Sequence, residues 1–142
     1  MELNRQNRVF VDTSAFAAFM IESEPQHEKA VELFMQCFKN GVQMITTDYI
    51  IDEVLTFLRC NKKLKMEMIL SFLFNACASG IKVFGVSETL FGEAVGLMTK
   101  YKDQYFSATD CVSFCVMKEM RIKDALTTDK HFTIAGFNNL LT

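Results

Sequence analysis

Four acidic residues of this chain stand where an α/β protein places its chemistry. Asp12 closes the apolar run Arg8-Val-Phe-Val11, and Asp129 closes Ala125-Leu-Thr-Thr128, so each ends a short strand. Glu53 and Asp110 fall near the starts of helices that follow a strand or a loop. In a parallel sheet flanked by helices these four positions face one edge, the edge at which such folds bind ligands. Carboxylates gathered there repel one another and raise each other's pKa, so they need neutralising. Oxygen ligands without His or Cys suit Mg²⁺ or Mn²⁺. Such a site suits hydrolysis of a phosphodiester, in which one cation generates hydroxide and a second can stabilise the leaving oxygen.

Each acid also has a plainer reading. Asp12 is followed by Thr13 and Ser14, hydroxyls suited to capping a helix from Ala15 to Ile21, so it could be one residue of a strand-to-helix turn. Glu53 lies on the border of the stripe Ile50, Ile51, Val54, Leu55, Phe57 and Leu58, where it could be a solvated helix residue; Asp52 points nearly opposite that stripe. Ser107-Ala-Thr-Asp110 has the form of a capping box. Asp110 is nevertheless the only charge between Ser107 and Met117, in a helix apolar on nearly every side. A carboxylate beside such a core is costly unless it is bonded, paired or metal-bound.

The elements that would position these acids follow in order. Pro25 suits a first helical position, and Ala30 to Phe38 keep helical spacing until Asn40-Gly41 stops them. Val42 to Ile45 reads as a strand, and Thr46-Thr47-Asp48 opens the helix that carries Glu53. Asn61 to Ser79 has a long apolar helical pattern, Ile81 to Val86 reads as a strand, and Ser87 caps a helix to about Tyr101. The spacing of Gly92 and Gly96 within that helix predicts close backbone packing. Phe137 to Leu141 can supply a last strand. The alternation predicts a single α/β domain with a parallel sheet and helices on both faces.

Composition narrows the class. The 142 residues suit one domain with its own core. No apolar run approaches a membrane span, and Met1 to Asn7 is polar where a signal peptide would be apolar, so a cytoplasmic protein is expected. The five cysteines form no CxxC pair; Cys37, Cys77, Cys111 and Cys115 sit in apolar helical patterns and read as reduced core residues. The formal charge of −2 argues against a nucleic-acid partner only until four acids are assigned to a cation, which leaves 13 acids against 15 bases. Arg59, Lys62, Lys63 and Lys65 cluster as a solvated helix junction or a phosphate-binding edge.

The segments VFVDTSAF, DEVL, SATDCVSFCVM and ALTTDKHF, in this order and spacing, resemble a PIN-domain nuclease, and more narrowly the VapC-type ribonuclease toxins of toxin–antitoxin pairs. The resemblance runs from about Val9 to Leu140. No single motif is specific; the ordered set of four is. It implies a PIN-like core over about residues 8–141 and a parallel sheet of about five strands. It implies an acidic quartet of Asp12, Glu53, Asp110 and Asp129 that binds metal and cuts RNA. Asp12 and Asp110 would hold Mg²⁺ or Mn²⁺ most directly, with Thr13 and Ser14 beside them positioning a ligand. A homodimer and a small antitoxin are the implied protein partners. Two other classes compete. A phosphoryl-transfer or receiver-like domain needs a lysine near its aspartates, for which Lys130 is the only neighbour. A non-catalytic RNA- or protein-binding module would be favoured by a missing acid, and none is missing.

Overall fold

The strand β1 (Arg8–Val11) lies at the centre of the sheet because every residue on it after Arg8 is apolar. In the computed structural model, which describes residues 2–142, Val9, Phe10 and Val11 are all fully buried. Successive strand residues face opposite sides, so this burial means helices cover both faces. β1 pairs in parallel with β2 (Gln43–Thr47) and with β4 (Asp124–Leu126); β3 (Ile81–Phe84) joins β2 and β5 (Asn138–Asn139) joins β4. The five strands run in the order β3-β2-β1-β4-β5. The helices are α1 (Thr13–Met20), α2 (His27–Asn40), α3 (Asp48–Arg59), α4 (Met66–Ala78), α5 (Glu88–Lys100), α6 (Ala108–Glu119) and α7 (Lys130–Ile134).

Local chemistry explains most element ends. Gly41 ends α2 in the left-handed conformation at φ 67°, which glycine takes without strain. Thr47 and Ser87 accept from the backbone N–H of Ile50 and Leu90 and so cap α3 and α5. Ser107 and Asp110 form the full capping box of α6, whose buried face includes Cys111, Phe114 and Met117.

Several expectations are corrected. α1 starts at Thr13, and neither hydroxyl caps it. Pro25 lies in the turn before α2 rather than at its first position. The helix expected from Asn61 starts at Met66, because Asn61 to Leu64 form a turn. The last strand is only two residues long. Cys77 is exposed rather than core, as is Cys60, while Cys37 and Cys111 are buried and their thiols are pushed up to about 11 by that burial. Gly92 and Gly96 pack against nothing: a Cβ at either would meet no atom within 4 Å. Gly92→Ala and Gly96→Ala are therefore each expected to stabilise the fold by about 0.5–1 kcal/mol through helix propensity. Urea melts check this, and a loss of stability in either variant would contradict it.

Candidate active site

Because β1 and β4 are parallel neighbours, their carboxyl ends deliver Asp12 and the segment Thr127-Thr128-Asp129 to one place. The Asp12 N–H donates to Leu126 O at 3.1 Å, which pins the end of β1 to β4. Asp12 is only 5 % exposed. Its Oδ2 accepts from Thr127 Oγ1 at 2.8 Å and from Ser14 Oγ at 3.0 Å. Those hydroxyls are themselves held, Ser14 Oγ by the Thr128 N–H at 2.9 Å and Thr127 Oγ1 by the Asp129 N–H at 3.0 Å. The carboxylate is therefore held in one orientation, by Ser14 of α1 and by Thr127 just past the end of β4.

Asp110 enters from the start of α6. Its Oδ2 accepts from the Ser107 N–H at 3.1 Å, so the residue caps its helix and faces the site at once. Asp129 caps α7, with Oδ1 accepting from the His131 N–H at 2.9 Å. That short helix turns His131 back, placing Nδ1 3.1 Å from Asp110 Oδ2 and 3.5 Å from Asp129 Oδ1. Phe106 meets the imidazole edge-on at 5.1 Å and restricts its rotation. Glu53 projects from the exposed side of α3. Asp12, Glu53, Asp110 and Asp129 line one cleft of about 300 Å³, together with Thr13, Ser14 and Glu24.

Burial is the chief reason that the Asp12 pKa is pushed up from 3.8 to about 6. The bonds from Thr127 and Ser14 oppose it, and repulsion from Asp110 is the smallest contributor. Mutual repulsion, expected from the sequence to raise the pKa, thus takes second place to desolvation. The donor set fits a hard divalent cation, which would compensate a desolvated carboxylate. Asp110, Asp129 and His131 each offer an atom within 4.8 Å of the others, a separation suited to shared coordination. Thr13, which lines the same cleft, has its Oγ1 buried without a hydrogen-bond partner, a polar group left for a bound species to satisfy.

The sequence reading missed three residues here. His131, rather than Asp12, completes the tightest set of donors with Asp110 and Asp129. Thr127 holds Asp12, and Glu24 adds a fifth carboxylate to the cleft wall. The one usable signal was the Thr-Thr-Asp run at a strand end, whose hydroxyls have no apolar role there. Lys130, the cation a receiver-like site would need, is exposed and does not line the cleft.

Known proteins resemble this chain in sequence and in fold. A sequence model of the PIN domain family matches residues 9–138. The 23S rRNA-specific endonuclease VapC20 of Mycobacterium tuberculosis is 27 % identical over 129 residues, covering 91 % of this chain and 95 % of that protein. The crystal structure of M. tuberculosis VapC20, described as a sarcin-ricin loop cleaving toxin, superposes with a TM-score of 0.79 at 24 % identity, over 91 % of this chain and 95 % of that one. VapBC2 of Rickettsia felis, solved bound to a DNA fragment from its promoter, matches with a TM-score of 0.63 at 14 % identity, over 93 % and 96 % of the two chains.

Proposed function

The chain belongs to the PIN domain family, and on that premise we propose that it is a metal-dependent endoribonuclease, the toxin of a toxin–antitoxin pair. The observation that carries this reading is the single cleft shared by Asp12, Glu53, Asp110 and Asp129, with no acid of the quartet missing. Asp110, Asp129 and His131, with Asp12 and Glu53 lining the same cleft, would hold Mg²⁺ or Mn²⁺, for which carboxylate oxygens are suited ligands. When bound, the cation supplies a nucleophile from water at neutral pH and offsets charge on the phosphoryl oxygens. Thr127 and Ser14 fix the Asp12 carboxylate in place, so no reorientation is needed during the reaction. Phe106 and Asp110 fix the His131 ring in the same way. Mn²⁺ titration of wild type and Asp110→Asn tests the site. A loss of at least about tenfold in affinity is expected for the variant, and equal affinity would remove Asp110 from it.

The substrate is single-stranded or looped RNA, and the action of the VapC20 relative makes a ribosomal RNA loop the first to try. Two partners belong to the same reading. The fold likeness to a toxin–antitoxin complex from Klebsiella pneumoniae supports a small antitoxin, which would set a guanidinium against the acidic cluster. A homodimer is supported by the apolar face where α4 meets β3. There Leu70, Phe74 and Val83 are exposed, Phe74 at 75 %, around an apolar cleft floored by Ile51 and Leu55. α2 contributes little to such a face, with Met35 as its one large exposed apolar side chain. Sedimentation checks the dimer: a 16.2 kDa species at tens of micromolar would contradict it. Among the described residues no helix is long and apolar enough to cross a membrane; action on RNA in the cytoplasm belongs to the same proposal.

A further inference from the structure

The acidic cleft does not end at the quartet. It shares Glu53 and Phe57 with a second cleft of about 670 Å³, which runs on past Thr56, Cys60 and Asn61. That cleft shares Ile21 and Asn61 with a third, of about 680 Å³, walled by Lys62 and Lys63. One furrow thus follows α3 from the metal site to the α3–α4 junction. From Glu53 to Cys60 it spans about 10 Å at the rise of an α-helix, enough for the few nucleotides beside a cut.

Two features of this furrow have no use in the fold. Phe57 belongs to the apolar stripe of α3 in sequence, yet it is 49 % exposed, and no aromatic ring among the described residues stacks on it. At the far end Asn61 Oδ1 accepts from the Lys63 N–H at 2.9 Å, building a turn from which Lys62 and Lys63 project into solvent. Neither lysine, nor Arg59 or Lys65 beside them, forms an ion pair among the described residues, although Glu22 shares the same wall. Asp52 lines the same cleft as Glu53, its neighbour in the chain. A phosphate is therefore disfavoured there and favoured at the lysines, while the flat face of Phe57 suits a base.

We infer that this furrow is the track of the RNA strand, with one base stacked on Phe57 and a backbone phosphate held by Lys62 and Lys63. The inference rests on the nuclease reading above and extends it to how the substrate is held. Stacking on an exposed aromatic and a cationic groove along the backbone are the two terms by which proteins hold unpaired nucleic acid.

The test is binding of a fluorescent RNA hairpin with an unpaired loop to the full chain with Ca²⁺, followed by anisotropy across a salt series. Phe57→Ala should weaken binding about tenfold. The double variant Lys62→Ala, Lys63→Ala should make the dependence of log affinity on log salt shallower by about one unit. The double variant Lys39→Ala, Lys118→Ala, at exposed sites away from the furrow, should match wild type. Circular dichroism confirms folding in each. Cleavage by wild type with Mn²⁺ is followed alongside. If wild type cuts RNA while the Phe57 and lysine variants keep its affinity and salt slope, the track is overturned and the nuclease reading stands. If the variants lose binding as stated but wild type never cuts, the track stands and the nuclease reading fails.

Discussion

Asp12→Ala is expected to lower RNA cleavage by at least ~10²-fold, equivalent to ~2.7 kcal/mol of transition-state stabilisation. Asp12 is the acid whose orientation is most completely fixed, by hydroxyls from Ser14 and Thr127 that are themselves bonded to the Thr128 and Asp129 backbone. Its removal should leave the fold intact. Ser14 Oγ and Thr127 Oγ1 lie 3.1 Å apart and can bond each other once the carboxylate is gone. The loss should therefore appear in a protein with unchanged circular dichroism, as a fall in kcat rather than in RNA affinity. In growing cells, expression of wild type without an inhibitor should arrest growth and Asp12→Ala should not. Activity near wild type in the folded variant would remove Asp12 from the chemistry.

The second large effect runs the other way. Without metal, Asp12→Asn should be more stable than wild type at pH 7, by about 3 kcal/mol. The sign follows from the shift. Burial pushes the folded pKa of Asp12 up to about 6 from an ordinary value of 3.8, so between these values the folded state binds more protons than the unfolded one. The contribution of Asp12 to stability is then most favourable below about pH 4, falls as pH rises through the window to about 6, and stays low above it. The neutral Asn keeps an oxygen for Thr127 and Ser14 and avoids the buried charge. The gap between the two proteins should close as pH falls from about 6 to about 4, read from urea melts. Added Mn²⁺ should also narrow it at pH 7, because a cation that binds only the folded wild type stabilises that state. A difference that does not change with pH would contradict burial as its cause.

The acids could be picked out in the sequence because three of them sit at element boundaries marked by local chemistry and the fourth, Glu53, lies within a helix whose start is so marked. An apolar strand runs into Asp12, a hydroxyl-capped helix carries Glu53, a capping box includes Asp110, and a Thr-Thr pair precedes Asp129. The parallel sheet was legible from the alternation of strand and helix periods. What escaped depends on long-range packing. Thr127 meets Asp12 across a separation of 115 residues, and only the β1–β4 pairing brings them together. His131 reaches Asp110 because α7 turns it back, and five residues are too few for a helical period to announce that turn. Periodicity marked the apolar stripes of α3 and α4 but not their covered width, so Phe57, Phe74 and Cys77 read as core and stand exposed. Gly92 and Gly96 have a spacing that suggests a close approach, yet no neighbour approaches them.

The proposed metal-dependent hydrolysis of RNA by water at the Asp12, Glu53, Asp110 and Asp129 cleft would fix which side of the phosphate the break falls on. The ends of the products formed by wild type with Mn²⁺ read this directly. Attack by water leaves a 5′-phosphate and a 3′-hydroxyl, and stripping the metal should abolish both products. A 2′,3′-cyclic phosphate, formed when the ribose 2′-hydroxyl attacks, would contradict the account, as would cleavage that persists without metal.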